Sequence, residues 1–326
     1  MKLIETMKMR MGMRTTKILT IILKIIGAII IAFGIFLATV YIVHIVCNKS
    51  EQGKIESYGQ SVTVDGKNMN VLIQGKGEET VVLLPGYGTA APALDFKPLV
   101  DELSPYYRVV VIEPFGYGLS DNTEKERSTE NIVSEIHEAL QNLNIERYIL
   151  MGHSIAGIYG LDYVNKYENE VSAFVGIDSS VPTQGGMDTK FPIKTFKFLK
   201  KSGLARLVVK LTGDPYAGLP YDDKTKEQMR ILSLKNMYNS STSNEMENFN
   251  TNFKAAENLT FPKNLPLFFF IQENNTGVKR WIPLHEEQVK GSVHGKVMTL
   301  KGEHYLHHTK SKEIVENFRK FIEETK

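Results

Sequence analysis

The sequence predicts an α/β protein: a doubly wound, mostly parallel sheet with a helical cap, preceded by one transmembrane helix. Three observations carry this. Continuous apolar runs of four to six residues recur along the body and alternate with stripes at helical spacing. A stretch of about 80 residues, Pro182 to Pro262, interrupts that alternation. Near the N-terminus, Ile25 to Val46 form a run of 22 residues with no Asp, Glu, Lys or Arg and a single histidine, His44.

Each element follows from its pattern. Ser61–Val64 and Met69–Gln74 flank Asp65-Gly66, which reads as a hairpin. Buried strands are expected over Thr80–Leu84, Arg108–Ile112, Tyr148–Met151, Ala173–Ile177, Leu267–Ile271 and Lys296–Leu300. Their runs are apolar throughout rather than alternating, as strands covered on both faces require. Between them, Ile132, Val133, Ile136, Ala139, Leu140 and Leu143 form one stripe on a helix from about Thr129. A second helix follows Ser154, and a third spans Ser311–Glu324. Strands alternating with helices wind a sheet doubly. The Pro182–Pro262 stretch is too long for a structureless loop and holds amphipathic runs at Phe196–Val209 and Lys226–Tyr238. It is expected to form the cap, with Asn239–Asn244 as an exposed connection. The organisation is therefore a cytoplasmic stub and anchor over 1–47, a linker over 48–60, a core over 61–181 and 263–326, and a cap over 182–262.

The apolar run matches the roughly 20 helical residues needed to cross a bilayer. It is longer than the core of a signal peptide and ends in Val43-His44-Ile45-Val46-Cys47, a poor cleavage site, so an uncleaved anchor is expected. Six basic residues and one acid, Glu5, precede it. The positive-inside tendency places this end in the cytoplasm and the body outside it, on a single-pass membrane protein. Whole-chain charge is +2, but residues 1–47 hold 6 of the 39 basic and 1 of the 37 acidic residues; the remainder carries 33 − 36 = −3. That balance excludes a nucleic-acid partner by charge. With one cysteine, Cys47, no intramolecular disulfide can form.

The chemistry centres on Gly152-His153-Ser154-Ile155-Ala156-Gly157, after a strand and before a helix. This is the setting of a nucleophile elbow, where small flanking residues let the chain turn sharply and expose the serine. Alanine at 156 stands where glycine is usual. The N–H of Ile155 would face a developing oxyanion. Leu84-Pro85-Gly86-Tyr87-Gly88-Thr89 leaves an earlier strand, and its Tyr87 N–H is the second expected donor.

Together with Glu-Pro-Phe-Gly-Tyr-Gly-Leu-Ser-Asp at 113–121 and Gly-Glu-His-Tyr-Leu-His at 302–307, these motifs resemble the α/β-hydrolase superfamily, in particular its capped esterase and peptidase-like branch. The resemblance covers residues 61–325. It implies an eight-stranded sheet, a triad in the order serine, acid, histidine, and no cofactor. The histidine by position is His304. His307 and His308 are expected at the surface or behind it, and His153 packed beneath the elbow. The histidine cluster lacks an acid or cysteine pattern nearby, so no metal is expected. The family's usual acid position after the seventh strand reads as asparagine, Asn275. An amide there cannot stabilise an imidazolium. Asp178, at the end of the sixth strand and 24 residues after Ser154, is the first candidate instead, and Glu273 is the alternative. Glu113 is expected to hold the loop 114–120, without a catalytic duty.

The expected activity is that of a membrane-anchored serine hydrolase acting on a small-molecule acyl substrate, an ester or lipid. Phenylalanines and methionines in the cap favour an apolar substrate. A non-catalytic binding protein on the same fold is the alternative from another class, favoured by Asn275. A proline-type aminopeptidase is a third reading and requires cap acids placed to hold a free amine.

Overall fold

The computed structural model describes residues 1–326, the side chain of Lys2 excepted. The elements run α1 (Lys2–Gln52), β1 (Gln60–Val64), β2 (Lys67–Gln74), β3 (Thr80–Leu84), α2 (Pro92–Asp95), α3 (Lys97–Leu103), β4 (Arg108–Glu113), α4 (Thr129–Asn142), β5 (Tyr148–His153), α5 (Ala156–Lys166), β6 (Val171–Ile177), α6 (Ile193–Lys201), α7 (Leu204–Thr212), α8 (Asp223–Asn236), α9 (Ser240–Ala256), β7 (Leu267–Gln272), α10 (Trp281–Val289), β8 (Gly295–Leu300), α11 (Leu306–Thr309) and α12 (Ser311–Glu324). They form two compact units: residues 1–50 with 198–213, and residues 51–197 with 214–326.

The larger unit is built on one eight-stranded sheet in the order β1-β2-β4-β3-β5-β6-β7-β8. β1 pairs antiparallel with β2, and β2 antiparallel with β4. All the other pairs are parallel. Alternate residues of each central strand enter different cores, as the period of two demands. Val82, Val110, Leu150, Phe174 and Phe269 pack with α4, α5 and Trp281 on one face. Val81, Val109, Ile149, Val175 and Phe268 pack with α3 and α12 on the other. Burial on both sides is why these strands are apolar throughout.

The smaller unit holds α1 and the segment 198–213. α1 contains a stretch long and apolar enough to cross a membrane. The linker expected at 48–60 begins as helix, because α1 continues unbroken through Gln52. The single amphipathic run expected over Phe196–Val209 is two helices, α6 and α7, parted at Ser202-Gly203. Gly203 sits at φ +81°, and a Cβ there would lie 2.5 Å from the His44 Cβ. The break lets the corner approach α1 more closely than any other residue could.

Asn239–Asn244 corrects a second expectation. It is not an exposed connection but the start of α9. The Asn239 Oδ1 caps the helix by accepting from Thr242 N at 2.8 Å. Ser241 is fully buried and accepts from Thr123 N at 2.8 Å. Polar caps and turns use the same residue types, and here the cap is packed inward.

Glu113 closes the β4 end of the sheet. Its fully buried carboxylate accepts from Leu119 N (2.8 Å), Ala93 N (3.1 Å), Asn70 Nδ2 (2.9 Å) and Tyr58 OH (3.0 Å). Burial nonetheless pushes its pKa up, the four donors only partly opposing it. The loop 114–120 is thereby held, as the sequence suggests. Glu113→Ala leaves four donors without their acceptor, each costing about 1–3 kcal/mol where water cannot reach. We expect a loss of about 3 kcal/mol or more, read as a fall in Tm.

Candidate active site

The elbow forms where β5 passes into α5. Ser154 has φ +54°, the left-handed region, which a serine occupies only when its surroundings impose it. They do. Ser154 O accepts from Gly157 N at 2.9 Å and Ser180 N at 2.7 Å, and Ser154 N donates to Ile177 O at 3.3 Å. A Cβ on Gly152 would already lie 3.0 Å from the Ala156 Cβ. One methyl group fits between these positions and two do not, which explains why alanine is accommodated at 156.

The strand β3 delivers the second loop. A Cβ on Gly86 would lie 2.8 Å from the Ser154 Cβ and 2.7 Å from the His153 Nδ1, so only glycine permits this approach. Among the described residues, neither the Tyr87 nor the Ile155 N–H donates to a protein acceptor. Ile155 precedes the first turn of α5, where N–H groups and the helix dipole favour negative charge. Tyr87 is held by its hydroxyl, which donates to Thr242 O at 3.1 Å, and by the Phe249 ring at 4.8 Å.

The loop after β8 carries His304, whose Nδ1 lies 2.6 Å from Asp178 Oδ2. Asp178 is fully buried at the end of β6, with φ +42°. Its other oxygen accepts from Trp281 Nε1 at 2.7 Å and Gln272 N at 2.8 Å. The other acid candidate, Glu273, is partly exposed after β7, and its backbone N–H donates to Leu300 O at 2.9 Å. Asn275 makes a turn: its Oδ1 accepts from Gly277 N and Val278 N, both at 2.9 Å.

His153 does lie beneath the elbow. It is buried, its ring centroid is 4.7 Å from that of His304, and its Nε2 meets His304 O at 3.2 Å. Burial, with smaller effects from His307 and His304, lowers its pKa well below the ordinary imidazole value. His307 and His308 are not at the surface. Both are buried, with Nε2 atoms 2.7 and 2.8 Å from the two oxygens of Asp95. The acid that this histidine pair lacked in its sequence neighbourhood thus comes from α2, some 212 positions upstream. Burial raises the Asp95 carboxyl, but hydrogen bonds from His307 and then His308 outweigh it and hold the pKa below the usual range.

Three further groups escape sequence reading. Trp281 and His285 are spaced by four on α10; the His285 nitrogens each lie 2.8 Å from a carbonyl, of Trp281 and of Ser179. Glu245 of α9 is buried, accepting from Tyr159 OH at 2.6 Å and Tyr117 OH at 2.7 Å. Two cavities flank the 87–90 loop. One, of about 230 Å³, is bounded by Tyr87, Tyr117, Met237, Tyr238 and Met246. The other, of about 400 Å³, reaches Glu303 and Tyr305 on either side of His304.

The sheet order, the elbow and the histidine after the last strand define the α/β-hydrolase fold, and the chain has it. A family sequence model described as the α/β-hydrolase fold matches residues 79–207. The uncharacterized protein YbdG of Bacillus subtilis is 28% identical over 260 residues, covering 77% of this chain and 79% of that one. The 2-hydroxy-6-oxo-6-(2'-aminophenyl)hexa-2,4-dienoic acid hydrolase of Metapseudomonas resinovorans is 24% identical over 179 residues, 55% of this chain and 59% of that protein. This second match therefore spans less than two thirds of the relative. Among solved structures, the enol-lactonase of Burkholderia xenovorans superposes with a TM-score of 0.59 at 14% identity, covering 81% of this chain and 100% of that chain.

Because His153 stays neutral when folded and takes up a proton when unfolded, its contribution to stability is lost as pH falls through about 6.5, by up to about 1.4 kcal/mol per pH unit. Buried Glu113 and Glu245, with raised pKa values, act in the opposite sense, so the difference from His153→Phe is the quantity to read. On acidification from about pH 7.5 to about 5.5, wild type should lose more Tm than this variant. Parallel curves would contradict the assignment.

Proposed function

We propose that the chain is a serine hydrolase that cleaves an ester, or another acyl bond, of a small apolar or lipid-like substrate. It acts while tethered to a membrane through residues 25–46, with its N-terminus cytoplasmic. The observation that carries this reading is the 2.6 Å pairing of His304 with the buried Asp178. With Nδ1–H donated to the carboxylate, Nε2 is left to receive a proton. Ser154 Oγ attacks the acyl carbon as its proton passes to His304, and the N–H groups of Tyr87 and Ile155 hold the oxyanion. Collapse expels the alcohol, which takes the proton from His304. Water then attacks the acyl carbon as its proton passes to His304, and collapse releases the acid while His304 returns that proton to the Ser154 Oγ.

Asp178 supplies the negative charge that Asn275 cannot, which supports an enzyme over a non-catalytic binding protein. The Metapseudomonas relative is named as a hydrolase, which agrees with this class. The lining of the smaller cavity, with Met237, Met246 and Tyr238, suits an acyl or alkyl group. Among cap acids, Glu245 already accepts from two tyrosines, which weighs against its holding a substrate amine.

Labelling by a fluorophosphonate probe tests the nucleophile: wild type should label and Ser154→Ala should not. A well-folded wild-type protein that fails to label would refute the proposal. Asp178→Asn should lower kcat for a short-chain ester by about 10⁴, whereas Glu273→Gln should stay near wild type. If Glu273→Gln shows the larger loss, the acid is Glu273.

A further inference from the structure

Between Asp188 and Asp214 the chain runs 25 residues with seven lysines or arginines and not one acid. The body as a whole carries −3, so this segment is a local inversion of charge. Its last part, 198–213, belongs to the same compact unit as α1. On α7, Leu204, Leu207, Val208 and Leu211 recur at helical spacing along one side, and Arg206 and Lys210 lie on the other. No residue of α7 is buried. Leu211 is 77% exposed, Val208 53% and the nearby Phe198 61%.

The contact with α1 sets the level of this helix along the anchor. Arg206 Nη2 donates to Asn48 Oδ1 at 2.5 Å, and its Nε lies 3.5 Å from His44 Nδ1. Asn48 Nδ2 in turn meets His44 Nε2 at 3.0 Å. Gly203, without a side chain, lets the corner sit against His44 and Val40. These partners occupy the last turns of the apolar run and the first polar turn beyond it. A helix held there, apolar on one side and cationic on the other, lies where hydrocarbon gives way to head groups.

We infer that α7, with the end of α6, is a membrane-surface element that docks its Leu204–Leu211 face into the interface and presents Lys200, Lys201 and Lys210 to anionic phospholipid head groups. The inference rests on the reading that residues 25–46 span the bilayer. Each such charge near an anionic surface shifts the bound-to-free ratio about fivefold.

The test uses the full chain in a Cys47→Ser background, with an environment-sensitive NBD label on Leu211→Cys and, separately, on Val208→Cys in case one perturbs the corner. Labels on Ile30→Cys and on Lys290→Cys report the anchor and the body. In vesicles of phosphatidylcholine with phosphatidylglycerol, the labels at 208 or 211 should emit blue-shifted and resist iodide quenching. In phosphatidylcholine alone the shift should shrink, and K200E/K201E/K210E should shrink it in the anionic vesicles as well. The label at Lys290 should remain water-like. If the Ile30 label is in hydrocarbon while those at 208 and 211 stay water-like in anionic vesicles, the inference fails and the anchor stands. If the Ile30 label is in water too and carbonate strips the protein from the vesicles, the anchor reading fails, and the inference with it.

Discussion

The position of the His304 side chain depends on one buried carboxylate. Asp178 receives hydrogen bonds from the loop after β8, from the indole of α10 and from the backbone at the end of β7. Its own N–H donates to Phe270 O at 2.7 Å. An ionised carboxylate without partners would be far too costly at full burial. Hydrogen bonds to a charged group return about 1.5–3 kcal/mol each, so three of them together change that balance. The donors come from the stretch between the end of β7 and the start of α10 and from the loop after β8, all of them far from β6 along the chain. Closing the C-terminal edge of the sheet and orienting His304 are therefore one event.

Much of this was legible beforehand, for a physical reason. Strands buried on two faces must be apolar at every position, so the core strands announce themselves as unbroken runs, and each appears within two residues of its expected start; β8, also expected to be buried, is instead a largely exposed edge strand. The elbow was legible because sharp turns restrict residue size: Gly152 and Ala156 admit no larger pair. Asp178 could be named as a candidate because it ends a strand neighbouring that of Ser154. Sequence alone could not separate it from Glu273, since the distinction lies in which carboxylate the β8 loop meets.

What sequence did not reveal shares one character: it depends on partners brought together by the fold. Asn239–Asn244 is as polar as a solvent loop, yet it is packed inward, with Asn239 used as a helix cap and Ser241 bonded to the loop at Thr123. His307 and His308 gained their acid from α2. The α6–α7 break at Gly203 interrupts a run whose periodicity is otherwise continuous, and the close approach of α1 that it permits involves His44, far away in sequence. Asn275 was read as a missing acid; in the fold it is a turn former, its side chain taking two backbone N–H groups that an acid facing His304 would have left open.

Trp281 is the only tryptophan in the chain, and its indole N–H is bonded to the carboxylate oxygen next to the one that holds His304. Indole emission responds to the charge and polarity at its nitrogen, and nothing else in the protein emits in that band. The fold has thus placed an intrinsic optical reporter one atom from the acid. Protonation, substitution or displacement of that carboxylate is open to observation in the unmodified protein, without a substrate and without a label.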